Sequence, residues 1–194
     1  RLSSKKNSKD DVINDPMIHI ELDDDLLRMN KLGALFLMTS QGIPLIHQGQ
    51  DWAHSQIIAK TDANEPNVGK MDRNPYNKDN ETNWVNWLEK EQNIDLVNYY
   101  SGLIQLRRSI IEFRHTKPTD FKFQGLSENA LGYVIHNRVA VYINGDSKKS
   151  ISTELPKGEW MLVADNQIVN LNGIQTLSGK IDIPPTSGIV LIKQ

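Results

Sequence analysis

Cysteine is absent from the 194 residues of this chain, which excludes disulfide bridges, thiol catalysis and cysteine-ligated metals. A strong charge of one sign is also lacking, since 24 acidic residues nearly balance 22 basic ones. Neither nucleic acid nor a membrane surface is therefore predicted as a partner. No apolar run approaches the roughly 20 residues of a membrane helix. The length suits one large domain, or a domain with part of another, and the compartment stays open.

Familiar catalytic patterns are missing as well. There is no Gly-x-Ser-x-Gly elbow and no Gly-rich phosphate loop, and the histidines lack the spacing of zinc proteases. No cofactor, no metal site and no catalytic residue is predicted. Glycoside hydrolysis needs two facing carboxylates, ~5–5.5 Å apart in retaining enzymes, and the sequence does not supply a convincing pair. Asp51, Asp79 and Glu81 are candidates only because they follow the predicted strand.

One stretch organises the chain: the apolar run Ile43–Ile46, flanked by Gly42 and Gly49. The run is too short for a helix and too apolar for an exposed edge, so it predicts a buried strand. The glycines predict sharp turns or close approaches. Amide, carboxylate and indole groups follow the run: Gln48, Gln50, Asp51, Trp52 and His54. Because ligands bind beyond the carboxyl ends of parallel strands, the pattern predicts part of a binding site there.

Helices are predicted on both sides of this stretch. The first runs from Asp23 to about Ser40 and opens with three aspartates, which favour a dipole-capping role over a metal cluster. The second covers Ile94–Phe113, where apolar residues recur at helical spacing. Basic residues in its last turns, Arg107 and Arg108, suit the helix dipole better than a phosphate site.

Beyond Pro118 the period changes to that of strands. Short apolar runs separated by turn residues predict an antiparallel β-sandwich over residues 118–194. The predicted strands are Phe121–Gln124, Leu131–His136, Val139–Asn144, Glu159–Ala164, Gln167–Leu171, Ile181–Ile183 and Gly188–Lys193. Asp165 and Asn166 predict a tight hairpin, because both residue types tolerate left-handed angles.

The loop from Asn74 to Trp87 combines three aromatic residues with five asparagines and two carboxylates. Sugars bind to this chemistry, since their apolar faces stack on aromatic rings while amides and carboxylates bond to hydroxyls. An alternative is an ordered loop whose asparagines cap their own backbone and whose tryptophans fill the core. Spacing does not decide between them: Trp87 is predicted in the core, whereas Trp84 and Tyr76 fit either reading.

These stretches resemble the α-amylase family of glycoside hydrolases. Gln41–Asp51 resembles the eighth barrel strand, in which a Gly-x-Pro run leads to Gly-Gln-Glu or Gly-Asp-Glu. Asn74–Trp87 is similar to the following loop in pullulanases and isoamylases, the debranching branch. Tyr99–Arg108 carries the Leu-Ile-x-Leu-Arg signature of the next helix, and Pro-Pro-x-Ser-Gly precedes the last strand of the closing sandwich. Two residues depart from the pattern, since Asp51 replaces a glutamate and Asn86 an aspartate.

The resemblance implies a fold of class α/β plus all-β: the last helix–strand–helix of a (β/α)8 TIM barrel, then an antiparallel β-sandwich. Its implied domains are a polar arm or loop (1–22), the barrel segment (23–117) and the sandwich (118–194). The family's three catalytic carboxylates lie on strands four, five and seven, which would precede Arg1. The chain, which does not begin with methionine, is therefore expected to be part of a longer enzyme.

The implied function is that of the C-terminal portion of a pullulanase-like α-glucan hydrolase, inactive alone. Its partners would be an α-glucan and the remainder of the parent barrel. Substrate-subsite residues are predicted to be Tyr76, Asp79, Asn80, Asn83, Trp84, Gln50 and Asp51. The alternatives are a non-catalytic glucan-binding or structural module, and part of an α-glucan transferase or branching enzyme.

Overall fold

The computed structural model describes residues 22–61, 66–72 and 74–194, so nearly all of the predicted polar arm, 1–22, lies outside the described residues. The helices are α1 (Asp24–Thr39), α2 (Trp87–Gln92) and α3 (Ile94–Ser109), with 3-10 turns at Gln50–Trp52, Ile111–Phe113 and Pro118–Asp120. The strands are β1 (Phe121–Ser127), β2 (Ala130–Ile135), β3 (Val139–Asn144), β4 (Ile151–Glu154), β5 (Trp160–Ala164), β6 (Gln175–Leu177), β7 (Lys180–Ile183) and β8 (Ser187–Lys193).

Helix α1 begins and ends within a residue of the prediction. The Asp23 carboxylate accepts the Leu26 N–H at 2.9 Å, and Asp24 and Asp25 occupy the first turn, where negative charge suits the helix dipole. This geometry agrees with the capping role of the three aspartates. The second predicted helix is also present as α3, although it ends at Ser109 and a 3-10 turn covers the remaining residues.

The buried strand predicted at Ile43–Ile46 is wrong for this chain. These residues form neither helix nor strand, and Ile43 and Leu45 are 97% and 87% exposed. The physical reason is pairing: a strand needs ladder hydrogen bonds as well as apolar side chains. All strands in the described part of the chain belong to two antiparallel sheets within residues 121–193, so none flanks this run. The flanking glycines do turn the backbone, with φ of 91° at Gly42 and 78° at Gly49.

Arg107 of α3 fixes the backbone that leaves α1. Its Nη1 donates to the carbonyls of Met38 and Ser40 at 2.6 and 2.7 Å, and its Nη2 donates to that of Gly42 at 2.6 Å. The carbonyls at a helix C-terminus lack intrahelical donors, so the guanidinium supplies them. Burial, reinforced by the charge of Arg114, lowers the pKa of Arg107. A phosphate site here is not favoured, because the donors already face backbone oxygens.

Two antiparallel sheets stack after Pro118, as the sequence predicts. The larger has the order β1-β2-β3-β8-β5-β6, and β4 pairs with β7 in the smaller. Buried side chains fill the space between them: Val134, Ala140, Tyr142, Leu155, Trp160, Leu162, Ile181, Ile183, Ile189 and Leu191. Burial of this set supplies much of the hydrophobic stabilisation of the unit.

Helix α1 packs on the other face of the larger sheet. The Tyr133 hydroxyl of β2 donates to the Thr39 carbonyl at 3.0 Å, and burial raises the pKa of Tyr133 to about 12. A side chain at Gly188 of β8 would come within 3.0 Å of Leu35 in α1, so the close approach requires glycine there. Because both faces of the sheet are covered, all six residues of β3 are buried, and the first five, 139–143, form a continuous apolar run.

The strand predictions differ from the structure at three places. Gln167–Leu171 is not a strand, because the Asp165 carboxylate accepts the N–H groups of Gln167 and Ile168 and turns the backbone. The tight hairpin predicted at Asp165 and Asn166 is present, since the Asp165 N–H donates to the Ile168 carbonyl at 3.1 Å and Ala164 pairs with Val169 in an isolated antiparallel bridge. Neither Asp165 nor Asn166 has a positive φ, so the left-handed angles expected there are absent. Left-handed angles occur instead between β2 and β3, at 49° and 53°. Strands β4 and β6 were not predicted, since they are only 4 and 3 residues long and mostly polar.

The chain divides into two compact units. Among the described residues, one unit contains 22–27 with those of 46–97, and the other contains 28–45 with 98–194. The domain boundaries expected from the family resemblance concern a longer enzyme and stay a prediction.

Replacing Asn144 with aspartate should destabilise the sandwich. Its amide nitrogen donates to three backbone carbonyls, those of Lys149, Ile183 and Pro184, at 2.8 to 3.1 Å. Aspartate would place an acceptor against these oxygens, at a cost of about 2–3 kcal/mol. Guanidinium unfolding of the full chain measures the loss, with Asn172→Asp at an exposed position as the control. Equal stability of the two variants would contradict this role.

Replacing Arg107 with lysine should also destabilise the chain. A lysine ammonium cannot reproduce the planar fork that reaches three carbonyls, so the expected loss is about 1–3 kcal/mol. The neighbouring Arg108 is exposed, and Arg108→Lys is the matched control. Thermal unfolding followed by circular dichroism compares the pair. An unchanged melting temperature for Arg107→Lys would show that the carbonyls find other donors.

Candidate functional site

The candidate site lies within residues 46–97, which are mostly irregular. Its first part is a tight turn around the 3-10 segment Gln50–Trp52, with left-handed backbone angles before it at Gly49 and after it at Ala53. A Cβ at Gly49 would lie 2.5 Å from the Cβ of His54, so only glycine allows the histidine to pack against this turn. The turn thereby fixes the position of His54.

A buried carboxylate joins this turn to the short helix α2. Glu89 is 2% exposed, and its Oε2 lies 2.5 Å from His54 Nδ1. The Ser55 N–H donates to the same oxygen at 3.1 Å, and the Ser55 hydroxyl donates to Oε1 at 2.5 Å. A buried charge is costly unless it is hydrogen-bonded, and these three donors provide the compensation.

Side chains of the 75–83 loop bond mainly to its own backbone and to its neighbours. Asn83 Nδ2 donates to the carbonyls of Pro75 and Lys78, both at 2.6 Å, and its Oδ1 accepts from Gln56 Nε2 at 2.7 Å. The Thr82 hydroxyl accepts the Ala59 N–H at 3.0 Å. Asparagine and threonine therefore build the loop, as in the ordered-loop alternative.

A cavity of about 400 Å³ lies beside these groups. It is lined by His54, Ser55, Ile57, Ile58, Ala59, Lys60, Thr61, Gly69, Glu81, Trp84, Asn86 and Glu89. Trp84 is 63% exposed and offers an indole at the cavity. A hydrogen bond from the Thr61 hydroxyl lowers the pKa of Glu81, so this carboxylate is ionised at neutral pH. The cavity thus combines one aromatic surface with several polar groups.

The predicted subsite residues do not all reach this cavity. Trp84 lines it, whereas Tyr76, which is 82% exposed, and Asp79 do not. Asn83 and Asn80 are engaged within the loop, because the Asn80 side chain accepts the N–H of residue 82 at 3.1 Å.

The two site residues predicted from the turn also lie outside the cavity lining. The Gln50 side chain accepts the His47 N–H at 3.2 Å, and Asp51 is half-buried. Their contact with a substrate, like that of the other predicted subsite residues, stays a prediction.

The prediction that Trp87 lies in the core is wrong. Trp87 is 62% exposed, and Trp52 is the buried partner, at 6% exposure. Their ring centroids are 5.5 Å apart and the planes are tilted by 35°. Helix α2 begins at Trp87 and has its only buried residue at Glu89, which explains why the indole stays near the surface.

Sequence reasoning missed the role of Glu89 and of the residues it bonds. Glu89 lies in the polar stretch Leu-Glu-Lys-Glu-Gln, whose composition indicates an exposed helix. Its partners His54 and Ser55 are more than 30 residues earlier in the chain, so no local spacing connects them. Among the described residues, no three histidine or carboxylate side chains gather as they would around a metal ion. Nor does any helix within the described ranges have the length and hydrophobicity to span a membrane.

The fold is that of the C-terminal region of pullulanases. The pullulanase from Bacillus acidopullulyticus superimposes with a TM-score of 0.73 at 22% identity, over 89% of this chain and 21% of that one. A pullulanase from Anoxybacillus sp. LM18-11, complexed with maltotetraose, gives a TM-score of 0.70 at 23% identity, over 90% of this chain and 24% of that one.

Sequence comparison adds a curated relative, a glycogen debranching enzyme from Pectobacterium carotovorum subsp. carotovorum (strain PC1). It is 34% identical over 95 residues, which cover 47% of this chain and 12% of the relative. No protein-family model matches the chain. The chain therefore spans only a small part of the enzyme it resembles. Together these findings relate it to the debranching type of the α-amylase family, which confirms the resemblance in its motifs.

Removing the Ser55 hydroxyl should destabilise the site measurably. Ser55→Ala leaves one oxygen of buried Glu89 without its donor, and the expected loss of stability is about 1–2 kcal/mol. Thr61→Ala is the matched control, because the Thr61–Glu81 hydrogen bond is exposed and should contribute less than about 0.5 kcal/mol. Chemical unfolding followed by tryptophan fluorescence compares them. Equal losses would contradict a special role for the buried carboxylate.

Proposed function

We propose that this chain is the C-terminal portion of an enzyme that hydrolyses α-glucans, of the pullulanase or glycogen-debranching kind. It would contribute substrate-subsite residues, while the catalytic carboxylates lie elsewhere in the parent enzyme. The observation that carries the proposal is the aromatic and polar cavity on the same loop whose motif resembles debranching enzymes. In this proposal residues 23–117 complete a TIM barrel, and 118–194 form its closing β-sandwich.

Exposed apolar residues support the barrel part of the proposal. Ile43 and Leu45, almost fully exposed, occupy the motif that resembles the eighth barrel strand. Phe36 of α1 and Ile111 are also half exposed. Large apolar side chains gathered at a surface indicate a missing partner. Neighbouring barrel strands would supply the ladder hydrogen bonds that residues 43–46 lack, so the remainder of the barrel is the proposed protein partner.

The chemistry of the cavity supports a glucan ligand. The exposed Trp84 indole suits the apolar face of a pyranose ring, while Lys60, Glu81 and Thr61 supply donors and acceptors for hydroxyl groups. The Anoxybacillus pullulanase in the comparison was solved with maltotetraose. Tyr76, Asp79, Gln50 and Asp51 would then extend the subsites beyond the cavity.

A non-catalytic glucan-binding module is the second candidate. The observation that favours it is that every residue lining the cavity belongs to residues 46–97, so ligand binding would need no other chain. The two candidates differ in what the parent protein does, whereas both require glucan binding by this chain.

The proposal is tested by activity and by binding. The full 194-residue chain should release no reducing sugar from pullulan or glycogen. Clear turnover would contradict the proposal that the catalytic carboxylates lie elsewhere in the parent enzyme. In affinity electrophoresis its migration should be slowed by pullulan or glycogen in the gel. Hydrolysis by the complete parent enzyme would then separate the first candidate from the second, and product analysis would separate a hydrolase from a transferase.

Trp84→Ala should reduce the retardation in glucan gels strongly. Loss of one stacking surface typically weakens binding by about 1–3 kcal/mol, which is roughly 5- to 150-fold. Phe123→Ala is the matched control, because Phe123 is similarly exposed, at 66%, but lies in β1. If both variants migrated like the unchanged chain, the cavity would not be the glucan site.

A further inference from the structure

The imidazole of His54 has one nitrogen engaged by the protein and one that is not. The His54 side chain is 7% exposed and lines the cavity, with Nδ1 bonded to Glu89. Its Nε2 is buried and has no hydrogen-bond partner among the described residues. Buried polar atoms are rarely left unpaired in folded proteins, and such exceptions point to a function.

The surroundings of Glu89 define which nitrogen carries the proton. The Ser55 backbone N–H can only donate, and its hydroxyl donates to the other carboxylate oxygen, so Glu89 acts as an acceptor on both sides. The shortest contact, from Oε2 to His54 Nδ1, is then an Nδ1–H donation. With the single proton of an imidazole at Nδ1, Nε2 is the nitrogen that can accept a hydrogen bond.

An acceptor in this position suits a ligand hydroxyl better than an anion. The cavity also contains the carboxylate of Glu81 and the ammonium of Lys60, so its charges are of both signs. With the exposed Trp84 indole at the same cavity, the arrangement favours a neutral ring that bears hydroxyl groups.

We propose that His54 determines specificity in this cavity, with Nε2 accepting a hydrogen bond from a hydroxyl group of a glucose ring stacked on Trp84. Glu89 is the positioning residue that fixes the tautomer. This inference rests on the proposed glucan function and assigns a residue to it. Neither His54 nor Glu89 belongs to the subsite residues expected from the family motif.

Two substitutions separate the two ring nitrogens. Asparagine carries an amide nitrogen bonded to Cγ, as Nδ1 is, so His54→Asn keeps a donor for Glu89 and removes Nε2. Glutamine places its amide one bond further along, near Nε2, so His54→Gln keeps a polar group toward the cavity and loses the donor to Glu89. The inference expects opposite effects of the two substitutions. His54→Asn should lose affinity for the glucan and keep its stability, whereas His54→Gln should keep its affinity and lose stability.

The experiment is calorimetric titration of the full chain and its variants with maltotetraose. His54→Asn should bind about tenfold more weakly, as expected for a lost hydrogen bond, and His54→Gln should bind within about threefold of the unchanged chain. Unweakened binding by His54→Asn would overturn the inference. If His54→Asn binds normally but Trp84→Ala binds maltotetraose weakly, the inference about His54 falls and the proposed glucan function stands. If the unchanged chain binds no maltotetraose, both fall.

Nitrogen NMR of the labelled full chain distinguishes a ligand-binding His54 from a merely structural one. The Nε2 resonance of a merely structural histidine would not shift when maltotetraose is added. The chain has 5 histidines, and the signals lost in His54→Asn assign those of His54. The free chain should show a neutral ring protonated at Nδ1. Maltotetraose should shift the Nε2 resonance toward that of a hydrogen-bonded acceptor and move Nδ1 little. Binding that leaves Nε2 unshifted, or a free ring that carries a proton at Nε2, would overturn the inference even if a variant failed to fold.

Discussion

The carboxylate of Glu89 is the constraint on which the candidate site depends. It lies on a helix of only 6 residues, yet it is almost fully buried and accepts three hydrogen bonds from the turn at residues 54–55. Irregular backbone has no ladder or helix to order it, so side chains must supply that order. One carboxylate therefore ties two separate segments together and sets the orientation of the imidazole between them. Residues 54, 55 and 89, which these hydrogen bonds join, all line the cavity.

A second set of contacts orders residues 28–45 and 98–194. Helix α1 covers one face of the larger sheet, and the smaller sheet covers the other. Burial on both faces accounts for the long apolar strands, while buried polar side chains such as Asn144 and Arg107 satisfy backbone carbonyls at the ends of elements. Stability in this part therefore comes from packing, and its polar residues specify where each element stops.

Most of the regular structure could be predicted from the sequence, because its signals are local. Helical periodicity located α1 and α3, and β-branched runs located β1, β2, β3, β5, β7 and β8. The strand at Ile43–Ile46 could not be judged locally, since pairing partners decide whether an apolar run becomes a strand. Composition located the turn at Asp165 but not its geometry, since the Asp165 side chain caps the turn and its backbone has no positive φ.

The site was less predictable than the fold. Trp84 was found because aromatic and amide residues cluster around it in the sequence, and it does line the cavity. His54 was among the polar groups noted after the apolar run, but its contact with Glu89 was missed because it joins distant segments. A glutamate among lysine and glutamine residues also gives no sign of burial. The asparagines of the loop led to the opposite error, in which the sequence indicated a binding role that the structure does not require. Their number indicated sugar binding, but the Asn83 side chain bonds to the backbone of the loop itself.

The guanidinium of Arg107 has a consequence for assembly. By bonding to the carbonyl of Gly42, it anchors the backbone immediately before the exposed residues Ile43 and Leu45. Ordering a free residue costs about 1–2 kcal/mol in conformational entropy, and a segment already tethered at one end has less of this freedom to lose. In the proposed enzyme, this tethered segment would be pre-organised for the neighbouring barrel strands, and the entropic cost of joining them would be lower.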